Sequence, residues 1–559
     1  MVQTSHADSS ITMNMDRDLE EQKYVQKKAR HWELVFDQIH VTPEVLNYPY
    51  KGSGTEQDPF VVEFIPGDRR NPMNFPMLKK WTITILLAFA TLAVSFVSSA
   101  YSGGVKEIIE TFNVGSEVVT LGVSLFVLGF AIGPLIWAPL SELYGRQVLF
   151  CGTYAMLTIF NAGAAGAQNM QTLLIMRFIA GSFGSSPLTN AGGVIADMFS
   201  AAHRGVAMSI FAAAPFLGPV AGPIVGGFLG ETEGWRWVEG LMAIFTGVVW
   251  IIGSLTIPET YSPVILRRRA NKMSSMTGKV YKSRAEVERG SKSISAEFKT
   301  ALSRPWILLF TEPIVLLLSL YMAIVYGTLY MMFGAFPIVF QTGRGWSAGI
   351  GGLAFCGVAV GMISAVFYSL WDNKRYNATA ARHNNAAPPE ARLPPALVGS
   401  ICLPVGTAPF GFGMVLVFLS VMNYLIDAYV LYAASVLAAN SVLRSLFGAA
   451  FPLFTSCKYV QKPWHSLGKF NSSFPRTGLC TISILVLQVW SIHSNEVQVC
   501  GGSGACIGGD TGASSNEDEA EQTIEDMEER EARRQTAHGE SEKNDAVNDG
   551  EKREQKTNE

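Results

Sequence analysis

The chain has 559 residues, 48% of them hydrophobic and 16% charged, with 53 glycines and a formal net charge of −3. Soluble domains carry about 25% charged residues and glycine is enriched in helices that cross lipid, so this composition excludes an ordinary soluble globule. The net charge itself says little, because charge is segregated into the two ends and one central stretch.

Residues 1–80 are polar and include Lys27, Lys28, Arg30, Arg69, Arg70, Lys79 and Lys80 without a long apolar run. They read as a largely disordered cytosolic tail. Met1 to Glu20 lacks the apolar core of a cleavable signal, so insertion would rely on the first spanning helix. A bilayer core of about 30 Å needs roughly 20 apolar residues, and a backbone in lipid must satisfy its own polar groups, which here means helices. Six such runs follow, at 81–100, 118–139, 148–167, 172–194, 205–229 and 238–257. A basic linker spans 258–305; its residues 258–304 hold eleven Lys/Arg, Arg267, Arg268 and Arg269 among them, against four acidic residues. A second group of runs lies at 314–336, 350–370, 396–426 and 429–454, while the apolar stretch 479–489 is too brief to cross.

The pattern specifies an all-α polytopic membrane protein with an N-terminal six-helix bundle (81–257) and an incomplete C-terminal bundle (306–456). Loop charge sets orientation. The 372–392 loop adds Lys374, Arg375, Arg382 and Arg392, whereas 168–169 has no basic residue and 230–237 only Arg236. Both tails and the linker are therefore expected in the cytosol, and the basic linker is read as a topology signal, with no nucleic-acid partner. The seven cysteines form no metal or disulfide pattern. Cys151, Cys356 and Cys402 fall in apolar runs, where cysteine acts as a small hydrophobe.

Four features carry the functional reading. Between the second and third runs stands Ala138-Pro-Leu-Ser-Glu142-Leu-Tyr-Gly145-Arg146. Gly145 permits a tight turn, and Glu142 and Arg146 can pair with each other and with neighbouring helix ends; alone, the segment would also suit an ordinary charged turn. Arg177 lies inside the fourth run, where an arginine costs about 2.5–3.5 kcal/mol on insertion scales and normally faces a bundle interior or cavity. Snorkelling to the near interface is the alternative. The fifth run contains Gly218-Pro219-Val-Ala-Gly222-Pro223-Ile-Val-Gly226-Gly227. Glycines four residues apart make a smooth face for close helix contact, and Pro219 and Pro223 each remove an amide donor and bend the helix, which suits a hinge. In the seventh run Tyr326, Tyr330 and Phe333 are substrate-cavity candidates together with the later Asn423, since aromatic linings suit bulky ligands; such residues equally serve packing. Gly351-Gly352 and residues 501–504 lack the context and lysine of a phosphate loop, and no catalytic constellation is present. No cofactor, no metal and no enzyme activity are expected.

These motifs resemble those of the major facilitator superfamily: a charged loop between helices two and three, an arginine in helix four, and the G-x-x-x-G-P-x-x-G-G antiporter motif in helix five. Glu142 stands where the family usually has Asp. Asn71-Pro72, Trp235-Arg236-Trp237, Pro258-Glu259-Thr260-Tyr261 and Asn423-Tyr-Leu-Ile-Asp427-Ala-Tyr resemble the fungal drug:proton antiporter branch, with polyamine and azole-resistance transporters the nearest group. The resemblance covers about residues 71–456. It implies a two-bundle fold of nominally 12 spans, about 10 intact here, working as a monomer by alternating access. It implies export of drugs, toxins or small amphipathic metabolites against protons, with Arg177 assisting proton movement, at the plasma membrane or alternatively the vacuolar one.

Two departures are visible. The run 396–426 stands in for two helices and can cross once with tilt, not twice. From Cys457 the composition changes and the expected last helix is missing. Lys462-Pro-Trp-His-Ser-Leu-Gly-Lys469-Phe470 and Leu485-Val-Leu-Gln-Val-Trp490-Ser491 can each be encoded so that a shifted frame restores family-like text, which points to a frame change. Residues 457–559 then read as an atypical, mostly disordered tail. The alternative function is accordingly a remnant that keeps the scaffold without transporting.

Overall fold

The structure is a computed structural model describing residues 31–37, 39, 41–289, 294–382, 388–429 and 433–460. Two units divide the chain, 1–488 and 489–559, and every described residue belongs to the first.

Two short helices, α1 (His31–Phe36) and α2 (Pro43–Leu46), and strand β1 (Phe60–Val62) precede the first long helix, α3 (Met77–Ala100). There follow α4 (Val105–Phe112), α5 (Ser116–Tyr144), α6 (Arg146–Ala165), α7 (Met170–Met198), α8 (Ala201–Thr232) and α9 (Trp235–Thr256). The linker folds into α10 (Ser262–Thr277), β2 (Tyr281–Ser283) and α11 (Arg284–Arg289). Beyond it lie α12 (Ile294–Thr311), α13 (Pro313–Phe336), α14 (Ala348–Gly352), α15 (Phe355–Arg382), α16 (Pro394–Cys402), α17 (Thr407–Ala428) and α18 (Ala433–Val460). Local chemistry sets several of these boundaries. The Asn169 side chain accepts from Thr172 N–H at the start of α7, Ser347 does the same for Ile350 before α14, and Asn113 turns left-handed (φ 48°) to end α4, as N-cap and C-cap preferences dictate.

Among the described residues, nine helices are long and apolar enough to cross a membrane. A tenth, α7, has 29 residues but carries Arg177, Ser185, Ser186 and Asn190, all buried. It packs against α3, α5 and α6, which is why it tolerates polarity that a lipid-facing helix would not. In the first half α3 packs on α8, α5 on α7, and α6 on α9; in the second, α13 packs on α18, and α15 and α16 on α17. The halves meet where α5 touches α18 and where α8 touches α14 and α15.

Helix α8 is central to that arrangement. A Cβ on Gly218 would lie 2.6 Å from Leu92 O, one on Gly222 would strike Ser99 and Ala100, and one on Gly226 would strike Ala100 O. All three neighbours belong to α3, so the four-residue glycine spacing becomes a stripe of backbone-to-backbone contact. On another side, a Cβ on Gly227 would lie 2.7 Å from Ala348 O, and the Pro223 carbonyl presses on Gly352. One helix thus touches its own bundle and the opposite half through glycine.

The run 396–426 supplies one candidate crossing, Thr407–Ala428, and not as a single unbroken helix. It breaks after Cys402, turns, and restarts at Thr407; α16 lies along α17, with Gly399 and Gly413 facing each other. Nine residues rise only about 13 Å at 1.5 Å each, so α16 is too short to span. The Leu403–Gly406 turn follows from Gly406, whose extended backbone opens α17.

Residues 41–76 also differ from the expected disordered tail. Strand β1 pairs in parallel with β2 of the linker, and Val45, Tyr50, Val62 and Ile65 form a small core with Ala270, Met273 and Tyr281. Asp68 and Arg269 make an ion pair at 0% and 1% exposure. Arg70 donates to Leu34 O at 2.7 Å, and burial pushes its guanidinium down to about 10. The cap is fastened to the first bundle by Arg267 and Arg268, which donate to Leu143 O and Tyr144 O, carbonyls at the negative end of α5. No local periodicity announces this unit, because its two strands lie more than 200 residues apart in sequence. Residues 1–30 and 461–559, with the frame change read there, lie outside the described residues.

Two outcomes are expected. Gly222→Val forces α8 off α3 and lowers the melting temperature of the purified protein, overpacking costing about 1–3 kcal/mol or more; Gly240→Ala, where an added Cβ meets open space, leaves it nearly unchanged. Asp68→Ala strands the buried Arg269 charge at a cost of about 3–5 kcal/mol and exposes residues 41–76 to protease. The paired change Asp68→Leu with Arg269→Met recovers most of the protection.

Candidate transport site

Gly145 separates α5 from α6 at φ 99°, a conformation glycine alone adopts freely, and a Cβ there would collide with the Glu259 carboxylate. Glu259 accepts from the Arg146 N–H (2.9 Å) and the Gln147 N–H (3.3 Å) and so caps the positive end of α6. It also accepts from the amides of Thr260 and Tyr261 (3.0 Å each). The Arg146 side chain donates to Ser141 Oγ and to Asn190 Oδ1 (3.2 Å). Its Nε lies 3.7 Å from Asp197 Oδ2, too long for a hydrogen bond, and its guanidinium lies over the Tyr261 ring.

The expected Glu142–Arg146 pair is not formed. Glu142 is exposed and makes no ion pair among the described residues, because the turn at Gly145 places Arg146 on a new helix facing α7. The carboxylates the loop meets are Asp197 and Glu259, 51 and 113 residues downstream of Arg146.

Arg177 and Glu239 are 0% and 1% exposed, so the arginine does not snorkel. Its Nη1 donates to Glu239 Oε1 at 3.0 Å, its Nε to Gly122 O at 2.9 Å and its Nη2 to Val97 O at 3.2 Å. The guanidinium lies over Tyr101 and Phe126, 4.3 Å and 4.9 Å from their centroids. Helices α3, α5, α7 and α9 thus converge on one buried charge pair. Glu239 Oε2 is buried and has no hydrogen-bond partner among the described residues. Sequence reasoning missed Glu239, although the argument that singles out Arg177, a charge inside an apolar run, applies equally to it.

Tyr326, Tyr330 and Phe333 gather between the halves at 7%, 0% and 4% exposure. Tyr330 Oη is 2.8 Å from Ser98 Oγ on α3, and Tyr326 donates to Tyr330 at 3.3 Å. Across the same boundary Phe216 of α8 meets Phe418 of α17 edge-on at 4.5 Å. Within the second half, between α13 and α17, Met322, Tyr326, Met414 and Phe418 bound a space of about 10 Å³, against roughly 300–1,000 Å³ for pockets that hold drug-sized ligands. That space is too small to hold such a ligand as it stands.

Asn423 does not join the tyrosines. It lines a separate polar cavity with Gly205, Ser369, Asp372, Asn373 and Arg392, at the end of the bundle that loop charge assigns to the cytosol. Five residues along α17 from Phe418, it is turned about 140° around the helix and so faces away from the aromatic cluster.

Comparison with known proteins fits this geometry. Residues 87–459 match the Major Facilitator Superfamily. The chain is 65% identical over 461 residues to the "MFS-type efflux pump MFS2" of Trichophyton rubrum, covering 79% of this chain and 78% of that protein. It is 61% identical over 453 residues to the "Major facilitator superfamily multidrug transporter mdrA" of Aspergillus fumigatus, covering 78% and 75%. Among solved structures, the proton:xylose symporter XylE bound to 6-bromo-6-deoxy-D-glucose superposes with a TM-score of 0.54 at 16% identity, covering 75% of this chain and 96% of that one, a likeness of fold. The chain therefore belongs to the Major Facilitator Superfamily and is a multi-pass membrane transporter, not an enzyme.

Proposed function

We propose that this transporter exports small amphipathic compounds by alternating access, driven by protons moving the other way. The observation that carries the coupling is the buried Arg177–Glu239 pair. The arginine is the counter-charge of a carboxylate in a water-poor bundle, and taking up a proton there weakens the ion pair. The unpartnered Oε2 is the atom open to that proton. Because Arg177 also ties α7 to the backbones of α3 and α5, weakening the pair loosens the helix against which α8 packs. Glycine contacts on two sides of α8 leave few side chains to interlock, which supports α8 as the surface over which the halves rock. The loop around Gly145, Arg146, Asp197 and Glu259 supports a matching contact at the other end, made in one state and broken in the next. Export rather than import is supported by the relatives named efflux pump and multidrug transporter, and by the Gly218–Gly227 motif.

The test uses everted vesicles from a pump-deficient yeast expressing the full chain. A neutral amphipathic fluorescent dye is expected to accumulate when the lumen is acid and to leak out on addition of a protonophore. Glu239→Gln, which keeps shape but cannot titrate, is expected to lower gradient-driven accumulation at least about tenfold while dye–dye exchange persists. Accumulation indifferent to the protonophore would overturn proton coupling, and a folded chain that moves no dye would fit the non-transporting scaffold instead.

A further inference from the structure

The two halves treat their buried arginines differently. Arg177 in the first half has a carboxylate and two main-chain carbonyls as acceptors. Arg444, on α18 of the second half, has none of these. Its guanidinium lies between the rings of Tyr326 and Phe418, 5.0 Å and 4.9 Å from their centroids. Among the described residues its Nε is buried without a hydrogen-bond partner, its side chain donates only a long 3.5 Å contact from Nη2 to Ser441 Oγ, and it makes no ion pair. An arginine is effectively always charged, and leaving that charge unmatched inside a membrane protein is costly. Cation–π contact with two rings offsets part of this but supplies no counter-charge.

The place of this arginine is as telling as its lack of a partner. Tyr326 and Phe418 line a small space between α13 and α17 of the second half and both touch the first half, Tyr326 reaching α3 through Tyr330 and Ser98 and Phe418 reaching α8 through Phe216. Parting of the halves at these contacts would expose aromatic and methionine side chains beside the Arg444 guanidinium. We propose that Arg444 is the substrate-binding cation of this transporter, and that its preferred substrates are amphipathic organic anions, carboxylates on an aromatic or apolar body. The carboxylate takes the guanidinium as a charge-assisted, planar partner, and the apolar body fills the space beside Met322, Val325, Met414 and Val417. This rests on the transport reading above and adds the substrate class; its test is a binding measurement, so failure of transport and failure of the anion assignment are read separately.

The probes are 1-naphthoate and its uncharged isostere 1-naphthamide, titrated into the purified full chain in detergent and followed by calorimetry. Wild type is expected to bind the acid at least roughly tenfold more tightly than the amide, a factor equivalent to 1.4 kcal/mol. Arg444→Gln is expected to bring that ratio close to one while leaving amide binding in place, and Arg444→Lys to keep an intermediate preference. Should Arg444→Gln fail to fold, the lysine variant and the wild-type ratio decide. Equal affinity for acid and amide in wild type, no binding of the acid, or an acid preference that survives Arg444→Gln would each overturn the assignment.

Discussion

The arrangement depends on how closely α8 can approach its neighbours. With no Cβ atoms at Gly218, Gly222 and Gly226, its backbone rests on α3; with none at Gly227 and Gly352, it rests equally closely on the opposite half. In lipid no hydrophobic driving force holds helices together, so association is governed by close packing and by polar contacts. A helix that contacts both halves through backbone atoms is held firmly yet has little side-chain interdigitation to undo when it slides. Pro215, Pro219 and Pro223 each leave a gap in the hydrogen-bond ladder of the same helix, and two of the three lie within the contact itself.

Around that contact the charges fall into three sets. Arg177 and Glu239 are matched to each other inside the first bundle. Arg146, Asp197 and Glu259 gather at the turn between α5 and α6, where Arg267 and Arg268 also bind the last carbonyls of α5. The folded cap of residues 41–76 and the linker is thus attached to the end of the helix that enters this turn. Arg444, at the boundary of the halves, makes no ion pair among the described residues. Paired charges keep elements in place; an unpaired one is expensive at rest and becomes favourable only with an anion beside it.

Much of the fold was legible in the sequence because membrane helices declare themselves locally: a run of about 20 apolar residues needs no knowledge of its partners. The glycine face of α8 was legible for the same reason, since spacing along one helix fixes which residues share a side. What remained hidden involves partners distant in the chain. Glu259 capping α6, Asp197 near Arg146 and the β1–β2 pairing join segments 51 to more than 200 residues apart, and no short-range pattern encodes them. Glu239 and Arg444 are different, for each was detectable as a charge inside an apolar run. Asn423 and the tyrosines face different spaces because α17 turns a different face to each, Met414, Val417 and Phe418 lining one and Leu416, Leu419, Ser420 and Asn423 the other.

The most direct measurement is of paired distances across the two halves by electron–electron resonance. Spin labels would sit at the exposed Glu110 and Thr342 on one side, and at the exposed Tyr144 and Lys374 on the other. If α8 is the surface on which the halves rock, acidification and added substrate lengthen one distance as the other shortens, and Gly352→Val, at the contact between α8 and the opposite half, removes the exchange. Two distances that stay fixed, or that lengthen together, would contradict it.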